Sequence, residues 1–268
     1  MKIGIFDSGI GGLLITHSVI QELPQFDYLY LGDSARVPYG TRSKQTITRF
    51  TIEAVKYLFE RDCALVIVAC NTASADALRV VQQTYLAEHY PNRRVLGVLI
   101  PAAESAVFRT SSGRIGVLAT PATVSSGAFI REIAKLNPST LVVQQAAPLL
   151  VPIVETGSTK FAPAIVDEYV RPLLESKVDT VILGCTHYPI LRSTIQDALG
   201  DDIAIVDQNE VVPGALRDYL ARHPEIASKL SAGRSRVFHV TDVTEQSKLL
   251  ADQWFGHSVN LELVPMLG

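Results

Sequence analysis

Short β-branched apolar runs alternate along this chain with longer segments of helical period, and that alternation limits the fold more than any other feature. Lys2–Phe6, Tyr28–Leu31, Leu65–Ala69, Arg94–Val98, Arg114–Leu118, Leu141–Gln144, Thr180–Leu183, Ile203–Val206 and Val237–Val240 read as strands. Most are apolar at successive positions, the pattern of strands covered on both faces. Between them Ser43 caps a helix whose Ile47, Phe50, Ala54 and Leu58 share a face, and similar patterns follow Thr72, Thr123, Lys160, Pro189 and Thr244. The chain therefore reads as α/β, with mostly parallel, doubly wound sheets.

A weak internal repeat adds detail. Ile3-Gly4-Ile5-Phe6-Asp7-Ser8 resembles Ile115-Gly116-Val117-Leu118-Ala119-Thr120 at an offset of 112 residues (115 − 3). Val37-Pro38-Tyr39 resembles Val151-Pro152-Ile153 at 114 (151 − 37), and Val66-Ile67-Val68-Ala69-Cys70 resembles Val181-Ile182-Leu183-Gly184-Cys185 at 115 (185 − 70). Three matches in one order at nearly one offset argue for two pseudo-symmetric α/β halves. A boundary is expected near Gly97–Pro101, where a strand runs toward a new helix, and a second near Asp207–Pro213. Residues 1–98 with 208–268 then form one unit and 99–207 the other. The cleft between them, at the carboxyl ends of the strands, is where ligands of α/β proteins sit.

The chain has 268 residues, enough for one large core or two small ones, with 24 Lys and Arg against 27 Asp and Glu. A net charge of −3 and a charged content of 19% offer no field for nucleic acid or an acidic lipid surface, so neither partner is expected. Hydrophobic residues make up 47% of the chain, yet apolar runs such as Ala64–Cys70 fall far short of the ~18 residues of a membrane span. No leader is legible before Asp7. Three cysteines, an odd number, fit a reducing cytoplasm in which thiols serve chemistry, metal or packing rather than crosslinks.

Cys70 and Cys185 each end an apolar strand, and the small polar residues after them, Asn71-Thr72 and Thr186-His187, read as opening a helix. Free N–H groups and the dipole at a helix start favour a thiolate. A lone strand cysteine is commonly plain packing, as expected of Cys63, but equivalent placement in two halves points to use. Two thiols facing one another across a cleft suit removal of a proton from one face of a carbon and delivery of one to the other. That reaction is racemisation or epimerisation. A thiol pKa near ~8.5 lets one act as thiolate while the other keeps its proton. No lysine stands in a comparable strand-end motif, so neither pyridoxal phosphate nor another cofactor is expected.

Asp7 ends the first strand and is expected to point into the cleft beside Cys70, while the amides of Ser8-Gly9-Ile10-Gly11-Gly12 are read as receiving a substrate carboxylate. A nucleotide-binding turn competes for those glycines, but the Gly-x-Gly-x-x-Gly order is lacking and Asp7 would oppose a pyrophosphate. His187 is placed to exchange a hydrogen bond with Cys185, with Glu155 orienting it. Cys185-Thr186-His187 also admits zinc, but the three or four ligands that zinc takes are not legible, so no metal is expected. The loop Gly32–Gly40 and its counterpart Pro148–Glu155 should line the cleft from opposite sides. Thr120 and Thr123 offer hydroxyls to a substrate, or Thr123 serves only as an N-cap. A cysteine hydrolase with Cys70 as nucleophile and His187 as base stays open, as does a two-domain binding protein; the first leaves Cys185 idle and the second gives paired thiols no purpose.

Together, Phe6-Asp7-Ser8-Gly9-Ile10-Gly11-Gly12, Gly32-Asp33 through Pro38-Tyr39-Gly40, Cys70-Asn71-Thr72-Ala73, Thr120 with Thr123, Val151-Pro152-Ile153-Val154-Glu155 and Gly184-Cys185-Thr186-His187-Tyr188-Pro189 resemble the motifs of the glutamate racemases, in the aspartate/glutamate racemase superfamily. The resemblance spans essentially the whole chain. It implies a cofactor-independent enzyme that interconverts L- and D-glutamate and supplies D-glutamate for peptidoglycan, commonly as a homodimer. Cys70 and Cys185 would be the two acid/base catalysts, assisted by Asp7 and by the Glu155–His187 pair. Ser8, Tyr39, Gly40, Asn71, Thr72, Thr186 and His187 match positions that surround the amino acid. The nearest alternative in the same fold group is an aspartate racemase or a related decarboxylase. The chain departs from the family pattern at Ala147, where cysteine is frequent, and at Asp207-Gln208-Asn209-Glu210, looser than the usual Asp-Ser-Ala-Glu. Neither departure is expected to touch the chemistry.

Overall fold

The computed structural model describes residues 1–265. Its strands, in chain order, are β1 (Lys2–Asp7), β2 (Tyr28–Gly32), β3 (Cys63–Val68), β4 (Arg94–Gly97), β5 (Arg114–Ala119), β6 (Leu141–Ala146), β7 (Thr180–Gly184), β8 (Ala204–Val206), β9 (Arg236–Val240) and β10 (Leu261–Leu263). They form two sheets, ordered β10-β9-β2-β1-β3-β4 and β6-β5-β7-β8, and every described pairing is parallel. The central strands β1, β2, β3 and β7 are buried along nearly their whole length, which is why they read as unbroken apolar runs. β10 escapes such a reading, because it is a three-residue edge strand with Glu262 at its centre and its last two residues exposed.

The order β2-β1-β3-β4 recurs as β6-β5-β7-β8, so the fold is α/β in two sheets of one topology. Ile3 pairs with Leu65 and Ile115 with Thr180; the partners are 115 apart (180 − 65), as the repeat requires. Gly4 and Gly116 show why the repeated motif keeps glycine. A Cβ on Gly4 would stand 3.1 Å from Cys63 Sγ and 3.2 Å from Val66 Cγ2, and one on Gly116 would stand 3.1 Å from Val181 Cγ2. The second match is one of place and not of shape. Val37 is extended, whereas Val151-Pro152-Ile153 lies in the short helix Leu150–Glu155, so the segment read as a second cleft loop is largely helical.

Helix starts follow local chemistry. Ser43 Oγ accepts from the Thr46 N–H and caps Lys44–Glu60, which buries Ile47, Phe50, Ala54 and Leu58. Thr244 and Ser247 form a reciprocal capping box at the start of Glu245–Phe255. The helix read after Thr123 begins earlier, at Pro121, with Thr120 as its N-cap. After Lys160 and Pro189 the chain first makes single 3-10 turns, Thr159–Phe161 and Tyr188–Leu191, before Ala162–Glu175 and Arg192–Leu199.

Leu99-Ile100-Pro101 forms the first turn of the helix Leu99–Arg109. One continuous apolar cluster runs from Ile3, Ile5 and Ile67 through Leu99, Ala102 and Ala106 to Ile115, Val117 and Leu183. The two sheets are therefore joined by packing through this helix as well as by the chain. After β8 the helix Gln208–Arg222 leads back and packs on Leu13–Glu22, beneath the first sheet. Among the described residues no helix is long and apolar enough to cross a membrane.

Candidate active site

Four strand ends converge. Asp7 closes β1, Cys70 follows β3, Thr120 follows β5 and Cys185 follows β7. Cys70 and Cys185 both line one cavity of about 120 Å³, in company with Ser8, Tyr39, Gly40, Asn71, Thr72, Thr120, Thr186 and His187. Such a volume suits a small metabolite, since drug-sized ligands need pockets from ~300 Å³ upward.

The two sulfurs have different neighbours. Cys70 caps the helix Asn71–Asp76, its carbonyl accepting from the Ser74 N–H, and its Sγ donates to Ser8 Oγ at 3.4 Å. Burial, and then the charge of Asp7, push the Cys70 thiol up to about 12. Cys185 starts no α-helix. It opens a turn, with the Tyr188 N–H donating to its carbonyl, and a 3-10 turn follows. The helix dipole expected there is replaced by His187, whose Nδ1 lies 3.8 Å from Cys185 Sγ and whose Nε2 lies 3.1 Å from Glu155 Oε1. Burial alone would lower the pKa of His187. Its hydrogen bonds to Cys185 and Glu155, together with their charges, outweigh burial and push it up to about 10. His187 is thus buried between Cys185 and Glu155, with a pKa held above its ordinary value. It faces Cys185 and not Cys70, so the Cys70–His187 dyad of a cysteine hydrolase is not formed.

Several expected residues act from behind the cavity wall. Asp7 is fully buried and does not face the cavity; it accepts from the Gly9 N–H at 3.1 Å and from Thr186 Oγ1 at 3.3 Å, linking the ends of β1 and β7. Burial raises its pKa, opposed by the His187 charge and by hydrogen bonds from Gly9, Gly12 and Thr186. The glycine run therefore serves the protein's own carboxylate, where a substrate carboxylate was expected. A Cβ on Gly11 would lie 2.7 Å from Thr186 Oγ1 and 2.8 Å from the His187 ring, and one on Gly12 would lie 2.5 Å from Asp7 Cβ. Glu155 lines a neighbouring cavity of about 250 Å³ with Gly9, Val37 and Leu250. Thr123 is fully buried and off the cavity; it shares a hydroxyl cluster with Thr120 (3.0 Å) and Thr72 (3.4 Å), and Thr72 with Thr120 (2.9 Å). Cys63 lies at the start of β3, fully buried, and burial pushes it up to about 12.

Two supporting residues escaped the sequence reading. Asp33, fully buried, accepts from Tyr39 Oη at 2.5 Å, Arg36 Nε at 2.6 Å and Thr241 Oγ1 at 2.9 Å, which pins the cavity loop and occupies the Tyr39 hydroxyl. Gln208 exchanges two hydrogen bonds with Asn71, so the departure at Asp207–Glu210 does reach the site. An aspartate closing a strand-end turn is a visible signal; a partner 137 positions away is not.

Comparison with known proteins agrees with this arrangement. The family model for Asp/Glu/hydantoin racemases matches residues 11–212. The chain is 42% identical over 243 residues to a glutamate racemase of Geobacter metallireducens, covering 90% of this chain and 87% of that protein. Glutamate racemase isoform RacE1 from Bacillus anthracis superposes with a TM-score of 0.90 at 32% identity, over 99% of this chain and 97% of that one. A glutamate racemase from Francisella tularensis, solved in complex with D-glutamate, gives 0.88 at 31% identity, covering 99% and 97%. With sequence and fold both matched over nearly the full length, the chain belongs to the aspartate/glutamate/hydantoin racemase family.

Proposed function

We propose that the protein is a glutamate racemase that passes the α-proton between two thiols and needs no cofactor. The observation that carries this reading is that two cysteines, from equivalent strand ends of a duplicated topology, line one small cavity. The similarity to glutamate racemases along nearly the whole chain supports glutamate as the substrate.

One turnover starts with Cys185 as the base, its sulfur 3.8 Å from His187 Nδ1. As its S–H bond forms, the Cα–H bond of the amino acid breaks and the electron pair moves toward the α-carboxylate. Cys70 then gives its proton to the opposite face of Cα and is left as a thiolate, from which the reverse reaction begins. Proton transfer by positioned groups supplies roughly 10² to 10⁴-fold. Donors preorganised around the developing charge must provide much of the remainder. Ser8, Tyr39, Gly40, Asn71, Thr72, Thr120, Thr186 and His187 surround the amino acid in this reading, while from outside the cavity Asp7 raises the Cys70 thiol and Glu155 holds His187. Residues 1–98 with 208–268, of which 266–268 lie outside the described residues, form one unit and 99–207 the other, closing on the substrate as a homodimeric cytoplasmic enzyme that supplies D-glutamate to peptidoglycan synthesis.

The test is incubation of reduced protein with L-glutamate in D₂O. Loss of optical activity with deuterium at Cα is expected, and unchanged L-glutamate would overturn the assignment. Cys70→Ser and Cys185→Ser should each abolish racemisation; full activity in either removes the two-thiol mechanism. L-aspartate run in parallel decides the side-chain length, and its faster racemisation would replace glutamate as the substrate.

A further inference from the structure

Asn71 and Gln208 are each about 2% exposed, and their amides exchange a pair of hydrogen bonds. Asn71 Nδ2 donates to Gln208 Oε1 at 2.7 Å, and Gln208 Nε2 donates to Asn71 Oδ1 at 2.5 Å. A carboxamide has two N–H donors and two acceptor sites on its oxygen, so the pair uses half the capacity of Asn71 and fixes the plane holding the rest. Asn71 lines the substrate cavity next to Cys70, whereas Gln208 does not reach it. What Gln208 governs is the direction of the remaining Asn71 N–H.

Its place in the fold gives that control a second meaning. Gln208 opens the helix that follows β8, where the chain leaves the second sheet, and Asp207 before it accepts from the Asn209 N–H at 2.8 Å and stands 3.6 Å from Arg192. Asn71 opens the helix that follows Cys70 at the end of β3, in the first sheet. The amide pair thus ties a cavity-lining side chain of one sheet to the crossing from the other.

We infer that Gln208 is a positioning residue, holding the Asn71 carboxamide so that its free N–H meets a carboxylate of the bound amino acid. The inference rests on the racemase reading, and wild-type racemisation in the same assay tests that reading separately. Gln208→Ala, Asn71→Ala and the double variant are assayed for kcat, KM and melting temperature. A misdirected donor weakens a hydrogen bond to a charged group present in both ground and transition states, so KM should rise about tenfold while kcat stays within about twofold. In the Asn71→Ala background, adding Gln208→Ala should change KM by less than about twofold, because the residue acts through Asn71. The same factor in both backgrounds, or a lowered melting temperature with unchanged KM, overturns the inference. Gln208→Glu keeps the length and the acceptor and covers the case of a misfolded alanine variant; an intermediate KM is expected, and a wild-type KM overturns the inference.

Discussion

Replacing Glu155 by Gln removes the charge that sits 3.1 Å from His187 Nε2 and leaves a neutral acceptor in its place. A hydrogen bond to a charged group contributes about 1.5–3 kcal/mol when buried. The Glu155 side chain is 30% exposed against 3% for His187, so solvent screening reduces this to about 1 kcal/mol, or about 0.7 of a pH unit. The His187 pKa, about 10, should therefore fall to the low nines, with the hydrogen bond to Cys185 keeping it raised. The sign of the stability effect follows from the folded value lying above the ordinary 6.5. The contribution is fully present below 6.5 and is lost as pH rises through 10, so Glu155→Gln should cost about 1 kcal/mol at pH 6–8 and almost nothing above pH 10. Two measurements check this. The alkaline limb of kcat/KM, followed by circular dichroism of the glutamate enantiomers, should move down in pH while the neutral plateau holds. Urea unfolding at pH 7 and above pH 10 should show the penalty at the lower pH alone. An alkaline limb that stays in place or moves up, or a penalty that persists above pH 10, refutes the ion pair as the source of the raised imidazolium.

Gly4→Ala and Gly116→Ala should each destabilise by about 1–3 kcal/mol through overpacking, since their Cβ atoms meet Cys63 and Val66 or Val181 at 3.1–3.2 Å; thermal melts that differ widely between the two would break the equivalence of the halves. Tyr39→Phe removes one of the three side-chain donors to buried Asp33 and should cost about 1–3 kcal/mol in urea unfolding, with a raised KM from the loosened cavity loop; unchanged stability would contradict the anchoring role. Asp7→Asn removes a charge that raises the Cys70 thiol, so thiolate absorbance at 240 nm should begin at lower pH than in the wild type, and an unmoved titration would separate Asp7 from Cys70.

What sequence made legible was whatever neighbouring residues determine. β1, β2, β3 and β7 declare themselves because a strand covered on both faces must be apolar almost throughout, and Ser43 and Thr244 declare helix starts because the cap bonds within three residues. The repeat declared the common sheet order because equivalent strands carry equivalent packing, down to the two glycines. The illegible parts depend on the third dimension. Glycines 9 and 12 look the same whether a ligand or Asp7 occupies their amides, and the fold decides for Asp7. Thr120 and Thr123 are both credible caps, and only the strand's end at Ala119 selects Thr120. Gln208 reads as a loose position until folding brings it to Asn71.

The duplicated frame and its unequal fittings answer two separate needs. Corresponding strand ends bring two sulfurs to one cavity from different sheets, which a single α/β sheet, with all its strand ends on one edge, does not do. Symmetry alone would give both thiols the same affinity for a proton, and two thiols or two thiolates cannot move a proton across a carbon. The difference comes from residues the repeat does not share. Burial and Asp7 keep the proton on Cys70, while beside Cys185 stands an imidazolium held charged by that sulfur and by Glu155. The two settings are not independent, because Asp7, which raises the Cys70 thiol, also accepts a hydrogen bond from Thr186 beside Cys185.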